Sequence, residues 1–130
     1  MIKINDEDYE LQDFDIKWGR FTRTINSVEK TGIAPRVFFY VGDENKVKEV
    51  IIELTFTKDE FQNMKINKEV DIQKEIIDII YNDESGWISL GNTNFSCSLT
   101  KVEDRKFHVN FNCKDTFENI SIEIDELIMT

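Results

Sequence analysis

A chain of 130 residues, 40% hydrophobic and 32% charged, can bury its own core as one domain, a composition that argues against wholesale disorder. Its net charge of −10 at pH 7 argues against nucleic acid as a direct partner, because phosphates need clustered Lys and Arg, and against adsorption to an anionic membrane. With two Cys, one His and no Cys-x-x-Cys spacing, a closed zinc site is not expected, and no other metal or cofactor is called for.

The opening Met1-Ile2-Lys3-Ile4-Asn5-Asp6-Glu7-Asp8 lacks the basic region and apolar core of a secretory signal. The longest apolar runs, around Val37–Val41 and Ile76–Tyr81, are too short to span a bilayer, so a cytoplasmic protein is expected. The abundance of Ile, Lys and Asn is the codon bias of an AT-rich genome and points to a low-GC bacterium or its phage.

Ile2 and Ile4 suggest a short strand, followed by an acidic turn at Asn5–Asp8. Phe14, Ile16 and Trp18 then alternate with Asp13, Asp15 and Lys17, which places the apolar set on one face of a second strand and sends Trp18 to the core. Gly19 is expected to break this run, leaving Phe21–Ile25 as a separate short strand. Ile33–Val41 and Val47–Phe56 are rich in β-branched and aromatic residues. Gly42-Asp43-Glu44-Asn45 between them has the composition of a four-residue hairpin loop. Val50, Ile52, Leu54 and Phe56 form a dry face. Phe38 and Tyr40 have the opposite parity to Val37, Phe39 and Val41, so that strand is apolar on both sides. Either it is covered on both faces, or it leaves an aromatic patch open for a partner.

Thr57-Lys58-Asp59-Glu60 fits a capping box, and Phe56 with Phe61 fits the accompanying hydrophobic staple. Together they predict a short helix from Lys58 to about Met64. Ile72, Ile76, Ile79 and Ile80 have helical spacing, but Ile is a mediocre helix former and the run ends in a turn-like Asn82–Gly86, so Asp71–Tyr81 is read as a strand. Trp87, Ile88 and Leu90 begin another.

From Thr93 to Ile124 the period of two is almost unbroken. Phe95, Cys97 and Leu99, then Phe107, Val109, Phe111 and Cys113, then Ile120, Ile122 and Ile124 share a face, which predicts three antiparallel strands, wet on one side and dry on the other. A three-residue turn at Asp104-Arg105-Lys106 would oppose Glu103 to Phe107, Leu99 to Phe111 and Cys97 to Cys113. In a reducing compartment two buried thiols are expected there, unbonded.

No segment carries a catalytic signature. His108 has the parity of Asn110 and Asn112 and is expected to face water, and no Gly-x-Ser-x-Gly elbow or Gly-rich phosphate loop is present. The acidic loops at Asp6–Asp8, Asp43–Asn45 and Asn82–Glu84 could offer oxygens to calcium, but none has the spacing of an EF-hand loop, so solvated turns are the default.

The sequence thus predicts a mainly-β single domain over residues 1–130: an antiparallel β-sandwich or flattened barrel of about eight short strands with one helix near 58–64. The expected function is non-catalytic: a small acidic binding protein that occludes a basic surface on a protein partner, as immunity proteins and phage-encoded inhibitors do. Its expected contacts are Asp43, Glu44, Asp83 and Glu84, with Trp87 as an apolar anchor. Two alternatives are a structural or accessory protein of a phage particle, associating through an edge strand or sandwich face, and a carbohydrate- or ligand-binding sandwich.

Overall fold

A computed structural model describes residues 1–43, 46–90 and 94–130. In chain order the elements are β1 (Ile2–Ile4), β2 (Glu7–Tyr9), β3 (Leu11–Ile25), β4 (Val28–Asp43), β5 (Lys46–Leu54) and α1 (Lys58–Gln62). Then come β6 (Glu69–Asp71), a 3₁₀ turn (Gln73–Glu75), β7 (Ile76–Asp83), β8 (Gly86–Ser89), β9 (Asn94–Glu103), β10 (Lys106–Asp115) and β11 (Ile120–Met129). They form two open antiparallel sheets, one ordered β2-β1-β11-β10-β9-β6 and the other β3-β4-β5-β7-β8. Neither closes on itself, so the architecture is a sandwich and not a barrel.

The alternation read from the C-terminal third is the inner wall of the first sheet. Cys97, Leu99, Phe107, Val109, Phe111, Cys113, Ile122 and Ile124 are all buried. Val37, Phe39, Val41, Val50, Ile52, Leu54 and Ile79 supply the facing wall, and the two sets merge into one apolar cluster. A void of about 20 Å³ remains between them, lined by residues such as Val37, Phe39, Leu54 and Leu99. It is wholly apolar and room for about one water, so it stays dry. This void has no space for an organic ligand.

Five sequence expectations need correction. Gly19 does not end a strand: β3 runs through it, with Gly19 opposite Ala34 and the ladder continuing to Ile25 opposite Val28. The turn that does end it is Asn26-Ser27, where both residues have positive φ (50° and 65°), the geometry of a two-residue hairpin whose twist matches its strands. The first turn is likewise only Asn5-Asp6, and Glu7–Tyr9 returns as a strand against β1. The helix stops at Gln62, short of Met64. The strands number eleven among the described residues, β3 and β4 being 15 and 16 residues long, where about eight short ones were expected.

The fifth correction concerns the cysteines. The β9–β10 loop is Asp104-Arg105, with Glu103 opposite Lys106, and the register shifts at Lys106/Phe107. Cys97 therefore opposes Phe111, and Cys113 opposes Phe95. A left-handed Arg105 (φ 63°) permits the tight loop, and the shorter loop and the bulge each slide the later pairs by one, two in all. Both thiols keep the dry face and neither is in a disulfide.

The capping box is present as read. The Thr57 hydroxyl accepts from the Glu60 N–H at 3.2 Å, and Glu60 Oε1 accepts from the Thr57 N–H at 3.1 Å. Phe56 and Phe61 meet edge to face at 4.8 Å. The same carboxylate reaches the β3–β4 ribbon, where Lys30 Nζ lies 2.7 Å from Glu60 and 3.0 Å from Glu75. Gly32 lets that ribbon come close, because a Cβ there would stand 2.7 Å from Thr57 Cγ2.

Burial penalises the charge on Lys30 and on Glu60, but it is outweighed by their mutual hydrogen bond and charge, by the bond and charge of Glu75 at Lys30, and by the Thr57 bonds to Glu60. Lys30 is held above its ordinary 10.5 and Glu60 below its ordinary 4.5. A raised Lys contributes stability present below its unfolded value and lost as pH rises through the folded one; a lowered Glu contributes stability present above its unfolded value and lost as pH falls through the folded one. Thermal melts of Lys30→Met should therefore show a shallower loss of Tm below pH 4.5 and above pH 10.5 than the parent. Parallel profiles would contradict the linkage.

Candidate functional site

Period-two alternation gives each sheet an outer face, and the two differ in chemistry. On the first sheet the outward positions include Ser98, Thr100, His108, Asn110, Asn112, Glu123 and Asp125. His108 is half-buried and its Nε2 pairs with Asp125 Oδ1 across the strands, so the histidine lies on the wet side as its parity requires. Among the described residues no cluster of three or more His, Cys, Asp or Glu could hold a metal ion.

The outer face of the second sheet is aromatic. Following the register, Asp13, Tyr40, Glu49, Asn82 and Trp87 form one row across β3, β4, β5, β7 and β8. Asp15, Phe38, Ile51, Ile80 and Ser89 form the next, and Lys17, Arg36, Glu53 and Asp78 the third. Of the two possibilities left by the apolar parities of β4, the open patch is what is found: Phe38, Tyr40, Ile51 and Ile80 are half-exposed and Trp87 is 68% exposed. Phe38 and Tyr40 stack at 6.3 Å with their planes 12° apart, and Lys17 Nζ lies 4.8 Å from the Phe38 ring centre.

Five carboxylates border this surface, from Asp13, Asp15, Glu49, Glu53 and Asp78. Arg36 offsets one of them, pairing with Glu53 at 3.4 Å. Asp78 is partly engaged, accepting from the Ser89 hydroxyl at 2.6 Å. The local field is felt at Tyr40, whose phenol is held above its ordinary 10.0 by burial first and then by Glu49, Asp15 and Asp13.

The residues predicted as contacts fall in different places. Trp87 lies on the aromatic face, opposite Asn82. Asp83 has the other parity and works locally: its Oδ1 accepts from the Ser85 N–H at 2.9 Å and hydroxyl at 2.6 Å, which holds its carboxyl below the usual value. It also shares the inner end of the sandwich with Tyr81 and Lys48, whose ammonium lies 5.4 Å from the Tyr9 ring. Glu84 is exposed in the two-residue β7–β8 turn. Asp43 ends β4 opposite Lys46, and Glu44 lies outside the described residues.

Sequence reasoning passed over two exposed features. Phe117 is 93% exposed at the tip of the β10–β11 turn, where Asp115 Oδ1 accepts from the Glu118 N–H at 2.9 Å. The turn composition of Asp115–Asn119 between two alternating runs was the available signal. The carboxylates of Asp13 and Asp15 were read only as a wet face. They also accept from the N–H groups of Phe14 and Ile16, each at 2.9 Å, on a strand that pairs only with β4.

No protein-family model matches the chain, and neither does any curated protein or solved structure.

One nucleophile type can be tested directly. Burial, reinforced by the Asp71 charge, pushes the Cys97 thiol up to about 12, so it is protonated at neutral pH and shielded from reagent. Iodoacetamide at pH 8 should alkylate Cys97 in the native protein far more slowly than in 6 M urea, read by peptide mass spectrometry. Equal rates would mean that the inner wall is open.

Proposed function

We propose that the chain is a non-catalytic binding module that covers a basic surface on a protein partner with the outer face of the β3-β4-β5-β7-β8 sheet. The observation that carries this reading is the aromatic and aliphatic surface of Tyr40, Phe38, Ile51, Ile80 and Trp87 bordered by carboxylates. Rings on an outer sheet face add nothing to the core they are turned away from, whereas an interface uses them as desolvated anchors. The surrounding carboxylates supply charge complementarity, and the net charge of −10 extends it to long-range steering. Relative to the contacts expected from the sequence, Trp87 is retained, and Asp15 and Glu49, which stand in the rows of this face, replace Asp83, which has the other parity.

The phage-assembly alternative draws less support in its edge-strand form. An incoming strand would need the N–H groups of β3, and Asp13 and Asp15 already occupy those of Phe14 and Ile16, an arrangement that protects sheet edges from pairing. The ligand-binding alternative is confined to the surface, because the interior void is too small.

The test is affinity capture from the native host followed by surface plasmon resonance on the captured partner. A basic protein is expected, with an association rate that falls steeply between roughly 50 and 500 mM salt. Glu49→Lys should slow association, and Trp87→Ala should weaken binding about 30-fold or more, mainly through faster dissociation. An acidic partner, a salt-independent association rate, or binding indifferent to both substitutions would contradict the proposal, as would turnover of a small substrate by the purified protein.

A further inference from the structure

At the end of the sandwich away from Trp87, where α1 lies over the ends of β9 and β10, an open cleft of about 420 Å³ is walled by Trp18 and Phe107. That volume falls within the range of small-ligand sites, roughly 300–1,000 Å³. Its polar lining is unusual for so acidic a chain, with the side-chain cations Lys58, Lys101 and Arg105 against one side-chain carboxylate, that of Asp104, beside the terminal residue Thr130.

Lys101 is the informative member. It shares the inward parity of Cys97 and Leu99, and it is only 8% exposed. Its ammonium donates to the Gln62 carbonyl at 3.0 Å, which accounts for one of three N–H donors and satisfies the last turn of α1. Among the described residues no carboxylate stands within 4.0 Å of it. A buried charge without a counter-charge is costly, and proteins ordinarily pair one or neutralise it. Here two donors remain at the wall of a cleft that two further cations line. Lys58 Nζ sits 5.6 Å from the Trp18 ring centre, and the Arg105 backbone is anchored at the rim, its carbonyl accepting from the Thr130 N–H at 2.8 Å, with the side chain exposed.

We propose that this cleft binds a small organic oxyanion, a carboxylate or phosphate whose charge is received by Lys101, Lys58 and Arg105 while its apolar portion lies against Trp18 and Phe107. The anion completes the hydrogen bonding of Lys101, and the rings account for an organic rather than a purely inorganic ligand. The site shares no residue with the proposed docking face, so either assignment can fail alone.

The test uses the whole chain carrying Trp87→Phe, which leaves Trp18 as the sole tryptophan. Its fluorescence is titrated with benzoate and with inorganic phosphate, against sodium chloride at matched ionic strength and benzylamine as a cationic control. A saturable change is expected with benzoate or phosphate and not with the controls, and the tighter of the two names the head group. Lys101→Met, which keeps the side chain's length, should weaken that binding at least tenfold. Arg105→Asn, chosen because Asn tolerates the positive φ of this position, should weaken it several-fold; if Lys101→Met does not fold, Arg105→Asn and Lys58→Ala carry the same expectation. Absence of a saturable response to both anions, or affinity unchanged in the folded variants, would overturn the assignment.

Discussion

The two sheets are fastened to one another through the ring of Phe61. It lies edge-on to Phe56 at 4.8 Å, to Phe107 at 5.2 Å and to Trp18 at 5.8 Å. Phe107 belongs to β10 in one sheet and Trp18 to β3 in the other, so one side chain touches both walls of the core. Each such edge-to-face pair contributes about 0.5–1.5 kcal/mol beyond area burial. Phe61 gets there because the Thr57–Glu60 box starts a helix at the point where β5 has run out, and five helical residues suffice to turn the ring inward. The oxyanion cleft also follows from this closure, since the helix end presents the Gln62 carbonyl to Lys101.

With one dry seam between the sheets, each outer face is free of any packing duty. The β9–β11 sheet offers mostly serine, threonine, asparagine and charged groups to water, with Leu127 and Met129 as apolar exceptions near one end. The β3-β4-β5-β7-β8 sheet does not, although the edge of that same sheet is guarded by Asp13 and Asp15. A surface protected against unspecific strand pairing yet furnished with rings is what the docking proposal rests on. The acidity of the chain then has a direction: carboxylates gather around the rings, while cations line the cleft at the other end.

Much of this was legible as periodicity. The inner wall of β9, β10 and β11 could be read residue by residue because a buried face forces alternation, and the helix start could be read because a capping box is a local device needing only Thr57, Glu60 and the flanking phenylalanines. Local devices that lack a strong composition signal were missed. Asn26-Ser27 carries no glycine, yet both residues adopt positive φ. Gly19 looked like a break, but cross-strand pairing to Ala34 outweighs the weak strand preference of glycine. Parity alone cannot see a bulge, which is why the cysteines kept their face and lost their partner. Phe38 and Tyr40 were ambiguous for a further reason: whether a second layer covers a face is decided by topology, not by the strand's own residues. Lys101 stood on a dry parity and could have been noticed there.

The central claim is that Phe38, Tyr40 and Trp87 serve a surface and not the fold, and it can be tested without any partner. Urea denaturation of a variant with all three replaced by threonine, which keeps strand preference, reads it directly. The account predicts a combined loss of about 1–2 kcal/mol, the scale of one or two exposed ring contacts. A loss of roughly 3–5 kcal/mol for each ring, as for phenylalanine removed from a core, would mean that these side chains hold the sandwich together and that the face is structural.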